Sequence, residues 1–175
     1  MLNSINKNYS LFVGIDPGLS GCMVSILVSE KGNEILNFFK LPVYNDGNRR
    51  HIDPIKFSKM LRDISVEILK EETLIVLERA QPMPRDGSVG AFRYGETYGI
   101  LKGIISCKEC KCITVPPVTW KKLFFGKNKT TKDDSRNMAI KLFPEYSDKF
   151  KKKNAHNMAE ATLLAKYGMS MFKNI

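Results

Sequence analysis

Apolar residues near the start of the chain form three short runs that are separated by turn-forming residues. The runs span residues 10–16, 22–29 and 34–41 and are rich in β-branched, leucine and aromatic side chains. Pro17-Gly18 separates the first two runs, and Lys31-Gly32-Asn33 separates the second from the third. Because short connections join antiparallel neighbours, the pattern predicts a three-stranded meander.

The rest of the chain alternates between helical and extended patterns. Residues 43–51 are polar and are expected to form a loop, and Asp53-Pro54 is typical of a helix start. Apolar residues then recur at helical spacing, at Phe57, Met60, Leu61, Ile64 and Ile68. A Pro/Gly-rich loop is expected at 82–90. Further strands are predicted at 73–77 and 112–115, and further helices at 91–106, 116–120, 132–142 and 155–172.

This order of elements predicts an α/β fold. We expect a mixed five-stranded sheet, with three antiparallel strands plus two parallel ones and helices on both faces. The length predicts one domain over residues 1–175, with residues 1–9 flexible. No apolar stretch reaches the roughly 18 residues of a membrane-spanning helix. The polar start MLNSINKNYS does not resemble a signal peptide, so we expect an intracellular protein, whose compartment the pattern does not specify.

Gly95, Gly99 and Gly103 recur at every fourth position of the predicted helix 91–106. Residues at this spacing share one helical face. The spacing therefore predicts a stripe where another backbone can approach closely.

Basic residues are concentrated in the last third of the chain. The whole protein has 28 Lys/Arg against 18 Asp/Glu, and residues 121–175 contain 13 of the former and 5 of the latter. A basic region favours a polyanionic partner, most simply nucleic acid. The alternative is a basic surface that serves solubility alone.

Three of the four cysteines, Cys107, Cys110 and Cys112, lie close together in the sequence, whereas Cys22 stands apart. A structural zinc site needs four ligands in recognised pairs, and no second pair is present. We interpret all four as reduced thiols.

Acidic residues end two of the predicted strands. Asp16 follows the first apolar run and Glu78 follows the fourth, while His156 and Glu160 share one face of the last helix. If the two strands are neighbours, carboxylates cluster at one edge of the sheet. Such oxygen ligands suit Mg²⁺ or Mn²⁺, and two ions can act together on a phosphate. The alternatives are solvent-facing acids at strand ends and an exposed His–Glu pair.

An ordered series of segments resembles the RuvC-type Holliday junction resolvases of the RNase H-like superfamily. The segment FVGIDPGLSG at 12–21 is followed by LERA at 77–80, GAFRYG at 90–95 and VPPVTWK at 115–121. TKDDSR at 131–136, LFP at 142–144 and the helix from His156 complete the series. The resemblance covers the chain from about residue 10 onward and is closest to plant chloroplast resolvases and related phage RuvC-like proteins. Asn157 and Met158 depart from the glycine and arginine common in the chloroplast branch. Ala155 replaces a residue that is commonly polar or charged.

The resemblance implies an RNase H-like fold and an endonuclease that resolves four-way DNA junctions by paired cuts. It implies a metal-binding catalytic set formed by Asp16, Glu78, His156 and Glu160, with Mg²⁺ or Mn²⁺, two ions per site, as the cofactor. Lys132 matches a lysine near the cleaved strand, where its charge can stabilise the reacting phosphate. Junction DNA and a second copy of the chain, in a homodimer, are the implied partners.

Basic and aromatic residues outside this set are candidate DNA contacts. The lysines suit contacts with the phosphate backbone, and an exposed aromatic ring can stack on an unpaired base. Packing in the core is the alternative for the two aromatic residues. The candidates are Arg79, Phe92, Arg93, Tyr94, Lys121, Lys127, Lys129, Lys151, Lys152 and Lys153.

Three other functions fit parts of the pattern. Another RNase H-like nuclease, acting on RNA or on single-stranded or flap DNA, would share the site residues. A catalytically weak junction-binding protein is compatible with the departures at Asn157 and Met158. An actin-like phosphotransferase has a strand and turn like Asp16-Pro17-Gly18, but such proteins are longer and have two domains.

Overall fold

The computed structural model describes residues 9–64, 72–81, 87–128 and 130–172. Residues 1–8, for which flexibility is expected, therefore lie outside the described residues. Tyr9 is the one residue of the expected flexible segment that the structure describes. Tyr9 is buried and packs edge-on against Phe12 and Phe172, so its side chain belongs to the core.

Five strands form the central mixed sheet, as the sequence predicts. They are β1 (Leu11–Asp16), β2 (Cys22–Val28), β3 (Glu34–Lys40), β6 (Thr73–Glu78) and β7 (Lys111–Val115). The spatial order is β3-β2-β1-β6-β7, in which β1, β2 and β3 are antiparallel while β6 and β7 run parallel to β1. The central position of β1 follows from its composition, because all six of its residues are buried.

A separate hairpin occupies the region that was expected to be a loop. Its strands are β4 (Val43–Asp46) and β5 (Arg49–Ile52), joined through Gly47 at φ +55°. Glycine at the first central position is typical of a type II′ hairpin turn. The expectation of a loop was wrong because the hairpin is mostly exposed, so its strands lack the apolar alternation that reveals a half-buried strand.

In the described part of the chain, six α-helices surround the sheet. They are α1 (Pro54–Ile64), α2 (Gly87–Ser106), α3 (Pro117–Phe125), α4 (Lys132–Leu142), α5 (Ser147–Phe150) and α6 (His156–Phe172). Asp53 caps α1, as expected, because its carboxylate accepts a bond from the Lys56 backbone N–H at 2.9 Å. Ile68 and the loop residues 82–86 lie outside the described residues.

Several helix bounds differ from the predicted ones. Helix α2 begins at Gly87 rather than at residue 91, and α3 continues past Trp120 to Phe125. The sequence pattern also missed α5 and the one-turn 3₁₀ helix Pro144–Tyr146 that precedes it. Short elements of this kind carry too few residues to establish a helical period.

The helices pack on both faces of the sheet. Helix α6 crosses β1, β2 and β6 on one face, and α3, α4 and α5 complete that layer, whereas α1 and α2 cover the other face. Helix α6 approaches β1 so closely that a Cβ atom at Gly14 would overlap the backbone of Ala161 and Ala165. This close approach places the first turns of α6 beside the carboxyl end of β1. None of the described helices is long and apolar enough to cross a membrane.

The glycine stripe of α2 meets no partner within the described part of the chain. A Cβ atom built at Gly95, Gly99 or Gly103 would find no atom within 4 Å. The described chain itself therefore supplies no backbone that uses this face.

Candidate active site

Asp16 and Glu78 lie side by side at one edge of the sheet. Strands β1 and β6 are parallel neighbours, with Ile15 opposite Leu77, so the acids that follow share the same end of the sheet. Their residues are only 8% and 9% exposed. Burial of two carboxylates together is costly unless a cation compensates them.

Helix α6 adds Glu160 to this pair. The electrostatic influence of Glu160 reaches both Asp16 and Glu78. Burial raises the pKa of Asp16 well above its ordinary value, and the negative charges of Glu78 and Glu160 raise it further. Burial is also the main cause of the raised pKa of Glu78, with Glu160 adding to it. The three carboxylates form one coupled anionic cluster that favours a positive charge at its centre.

Lys121 supplies part of that positive charge. Its Nζ atom donates to Glu160 Oε1 at 2.8 Å, and its charge lowers the pKa of both Asp16 and Glu78. The sequence predicts Lys121 as a DNA contact, whereas the structure brings it to the acidic cluster. It lies on α3, which follows β7. The last residue of β7, Val115, is paired with Glu78 in the sheet, so α3 starts close to that acid.

Two buried residues donate hydrogen bonds to the carboxylates of Glu78 and Glu160. The sequence pattern alone did not single out either donor. The indole Nε1–H of Trp120 donates to Glu78 Oε2 at 2.7 Å, and the Trp120 side chain is fully buried. The Ser135 hydroxyl donates to Glu160 Oε1 at 3.1 Å. The available signals were the single tryptophan of the chain, next to Lys121, and the helical spacing of Ser135 from Lys132.

His156 is the first residue of α6 and lies one helical turn before Glu160. Its Nδ1 atom is buried and has no hydrogen-bond partner among the described residues. Buried polar atoms are normally paired, so this nitrogen is suited to an additional ligand. The cluster offers hard carboxylate oxygens, and His156 on the same helix as Glu160 offers one imidazole; in chemistry this donor set fits Mg²⁺ or Mn²⁺.

The described side chains do not converge on a single metal position. Among them, no three His, Cys, Asp or Glu residues stand close enough together to ligate one ion. The ion pair between Lys121 and Glu160 is the interaction that a cation at the cluster would replace.

The turn between β1 and β2 connects the site with α6. Gly18 has φ +138°, a conformation that favours glycine, and its carbonyl accepts the Gly21 N–H at 2.9 Å. The Asn157 side-chain amide donates to the Ser20 carbonyl at 2.7 Å. The unusual Asn157 therefore anchors α6 to this turn. The neighbouring Ala155 is 7% exposed, so a charged residue at that position would be buried.

Lys132 occupies the exposed first position of α4. Thr131 and Asp134 form a capping box that fixes this helix start. Ser135, which contacts Glu160, follows Lys132 by one helical turn. Lys132 itself forms no ion pair with a carboxylate in the described ranges.

The remaining candidate DNA contacts are mostly exposed. The Phe92 side chain is 75% exposed, so the core-packing alternative is wrong for this residue, whereas Tyr94 is half-buried beside Gly18. Lys129 lies outside the described residues. Exposed positions are occupied by Arg79, Arg93, Lys127, Lys151, Lys152 and Lys153.

Comparisons with known proteins give matches in structure alone. No protein-family model matches the chain, and no curated protein does. The Thermus thermophilus RuvC structure is similar with a TM-score of 0.57 at 15% identity, covering 92% of this chain and 96% of that one. The same protein in complex with a Holliday junction substrate gives a TM-score of 0.57 at 10% identity, covering 93% and 96%. The yeast mitochondrial Holliday junction resolvase Ydc2 gives 0.59 at 15% identity, covering 98% and 82%. These likenesses confirm the RuvC-type RNase H-like fold.

Proposed function

We propose that the protein is a structure-selective endonuclease that resolves four-way DNA junctions by metal-dependent phosphodiester hydrolysis. The observation that carries the proposal is the buried carboxylate cluster at the carboxyl ends of β1 and β6, faced by Glu160 from α6. The cluster lies in a fold shared, over more than nine tenths of the chain, with a protein solved on a Holliday junction. The chain's basic surface is compatible with a DNA substrate.

Asp16, Glu78, His156 and Glu160 are the residues that would hold Mg²⁺ or Mn²⁺, with two ions per site. Three anions and one neutral imidazole repel one another less than four carboxylates do. Divalent ions bound there would supply activation of the attacking water and neutralisation of the leaving oxygen.

The other residues of the site position and balance these ligands. Trp120 orients the carboxylate of Glu78, and Ser135 orients that of Glu160. Without metal, Lys121 offsets part of the negative charge of the cluster through its ion pair with Glu160. A bound metal ion would replace Lys121 as the partner of that carboxylate. Lys132, exposed one turn from Ser135, would offset charge that develops on the reacting phosphate.

DNA binding and pairing of subunits complete the proposal. The exposed lysines at 151–153 and Lys127 would contact backbone phosphates, and the exposed ring of Phe92 would stack on an unpaired base at the junction centre. Two cuts on opposing strands need two sites, so we expect a homodimer. The glycine face of α2, which no described residue covers, would permit close approach of a second copy. The histidine at position 156 supports a site like that of the chloroplast branch.

The deciding experiment incubates the protein with a labelled synthetic four-way junction in Mg²⁺, in Mn²⁺ and in chelator. We expect paired cuts near the junction centre with either metal and none with chelator. A plain duplex, a flap and an RNA–DNA hybrid are the matched substrates. Faster cleavage of the hybrid or the flap than of the junction would assign the site to another RNase H-like nuclease.

A second candidate function, a junction-binding protein with weak catalysis, is favoured by the ion pair between Lys121 and Glu160. This pair occupies a carboxylate that metal binding requires. Tight junction binding without cleavage in either metal would support this candidate. Asp16→Asn is the control, because under the first proposal it abolishes cleavage while junction binding remains.

A further inference from the structure

The hairpin of β4 and β5 presents two arginines beside the start of α2. Arg49 and Arg50 are exposed on β5. A groove of about 560 Å³ separates the hairpin from the first turns of α2, where Arg93 and Phe92 complete its lining. The sequence pattern predicts no functional role for the hairpin residues.

The hairpin is attached to the candidate active site. The Arg50 guanidinium donates through Nη2 to the Leu19 carbonyl at 2.9 Å, within the turn that follows Asp16. On the other side, the His51 ring stacks on Tyr44, and His51 Nδ1 lies 3.7 Å from Glu96 Oε1 of α2. These contacts hold the arginines in a defined place relative to the catalytic edge of the sheet.

A second groove, of about 650 Å³, continues from the same turn toward α6. Lys40, Arg50, Lys149 and Lys152 line it, and it reaches His156. Arg50 lines both grooves and joins them. Together the two grooves are lined by six Lys/Arg residues and two acids. Both acids have basic neighbours, since Glu96 lies beside His51 and Asp148 pairs with Lys151.

We infer that the hairpin and the two grooves form one track for the phosphate backbone of a DNA arm that leads to the acidic cluster. The inference rests on the proposed function, because it takes DNA as the substrate. Arginine guanidinium groups match phosphate oxygens in geometry and charge, as contact with a phosphodiester backbone requires. The exposed ring of Phe92 in the first groove adds a surface for a base, which an acidic peptide would not use.

The test measures junction affinity against salt concentration for the double variant Arg49→Gln/Arg93→Gln. Arg50 stays intact because it holds the Leu19 carbonyl. Each lost phosphate contact lowers the magnitude of the log–log slope by about 0.9, so we expect a decrease of roughly 2. Arg49→Lys/Arg93→Lys keeps both charges and should keep the parental slope. Binding is measured in chelator, where no cleavage interferes.

Lys31→Gln/Lys59→Gln is the matched control, since both lysines are exposed and neither lines the two grooves. The control removes the same charge and should leave the slope unchanged. Equal slopes for the arginine variant and the control would overturn the inference.

Cleavage of the junction in Mg²⁺, followed in parallel, separates this inference from the proposed function. A reduced slope in the arginine variant, together with a parent that cuts no junction, would contradict the proposed function and support the DNA track. Normal cutting with an unchanged slope would contradict the track and leave the proposed function standing.

Discussion

Asp16→Asn should make the metal-free protein more stable while it removes cleavage. Asp16 is buried and faces Glu78 and Glu160, so its ionised form is unfavourable in the folded state. Its pKa is raised in the folded protein chiefly by burial, against a partial lowering by Lys121. Asparagine has nearly the same shape and carries no charge, so the substitution relieves this cost.

The size of the effect follows from linkage. A raised folded-state pKa means that protonated Asp16 favours folding, and that this contribution is lost as the pH rises through the folded pKa. Each unit by which the folded pKa exceeds the unfolded one corresponds to about 1.4 kcal/mol of destabilisation once the pH lies above both. For a chain of this size, about 1.4 kcal/mol changes Tm by roughly 3–5 °C.

The assay is thermal unfolding in chelator between pH 5 and 8, with Asp46→Asn as the control for loss of one exposed carboxylate. The Tm advantage of Asp16→Asn should grow with pH, whereas the control should stay near the parent. Added Mg²⁺ should reverse the order, because a ligand at 100 times its Kd stabilises the parent by about 2.7 kcal/mol. A variant less stable than the parent in chelator at pH 8 would refute the coupled carboxylate cluster.

Other substitutions test individual members of the site and surface. Trp120→Phe removes the donor to Glu78 and should raise the pKa of that carboxylate further. The acidic limb of the pH profile of cleavage should then move to higher pH. Loss of the hydrogen bond to a charged group should also lower the free energy of unfolding by about 1.5–3 kcal/mol, measured by thermal or denaturant unfolding. An unmoved acidic limb would contradict the positioning role of Trp120. His156→Ala should lose most cleavage and His156→Asp should retain some, as followed on a saturating junction; parental rates in His156→Ala would retire the ligand role. Neutralising the three lysines at 151–153 should lower the magnitude of the salt slope of junction binding, and an unchanged slope would place the DNA elsewhere.

The sheet was predictable because its strands carry their own signals. The runs that became β1, β2, β3 and β6 consist largely of apolar residues, and short turns join the first three. The alternation of the later strands with helices indicated the parallel pairing that places Asp16 beside Glu78. The hairpin of β4 and β5 gave no comparable signal, since its exposed strands carry mixed polar residues.

The sequence by itself therefore determined the order of the core elements and the acids that end β1 and β6, because burial periodicity and turn chemistry are local properties. The tertiary structure alone decided which side chains meet those acids. Lys121 looked like any basic surface residue, and Trp120 like any core residue, until α3 was placed beside Glu78 and Glu160. It also decided that Phe92 is exposed while Tyr94 is half-buried, although both lie near one helix start. Contacts of this kind join residues many positions apart, and their distances depend on how whole helices pack, which no local pattern encodes.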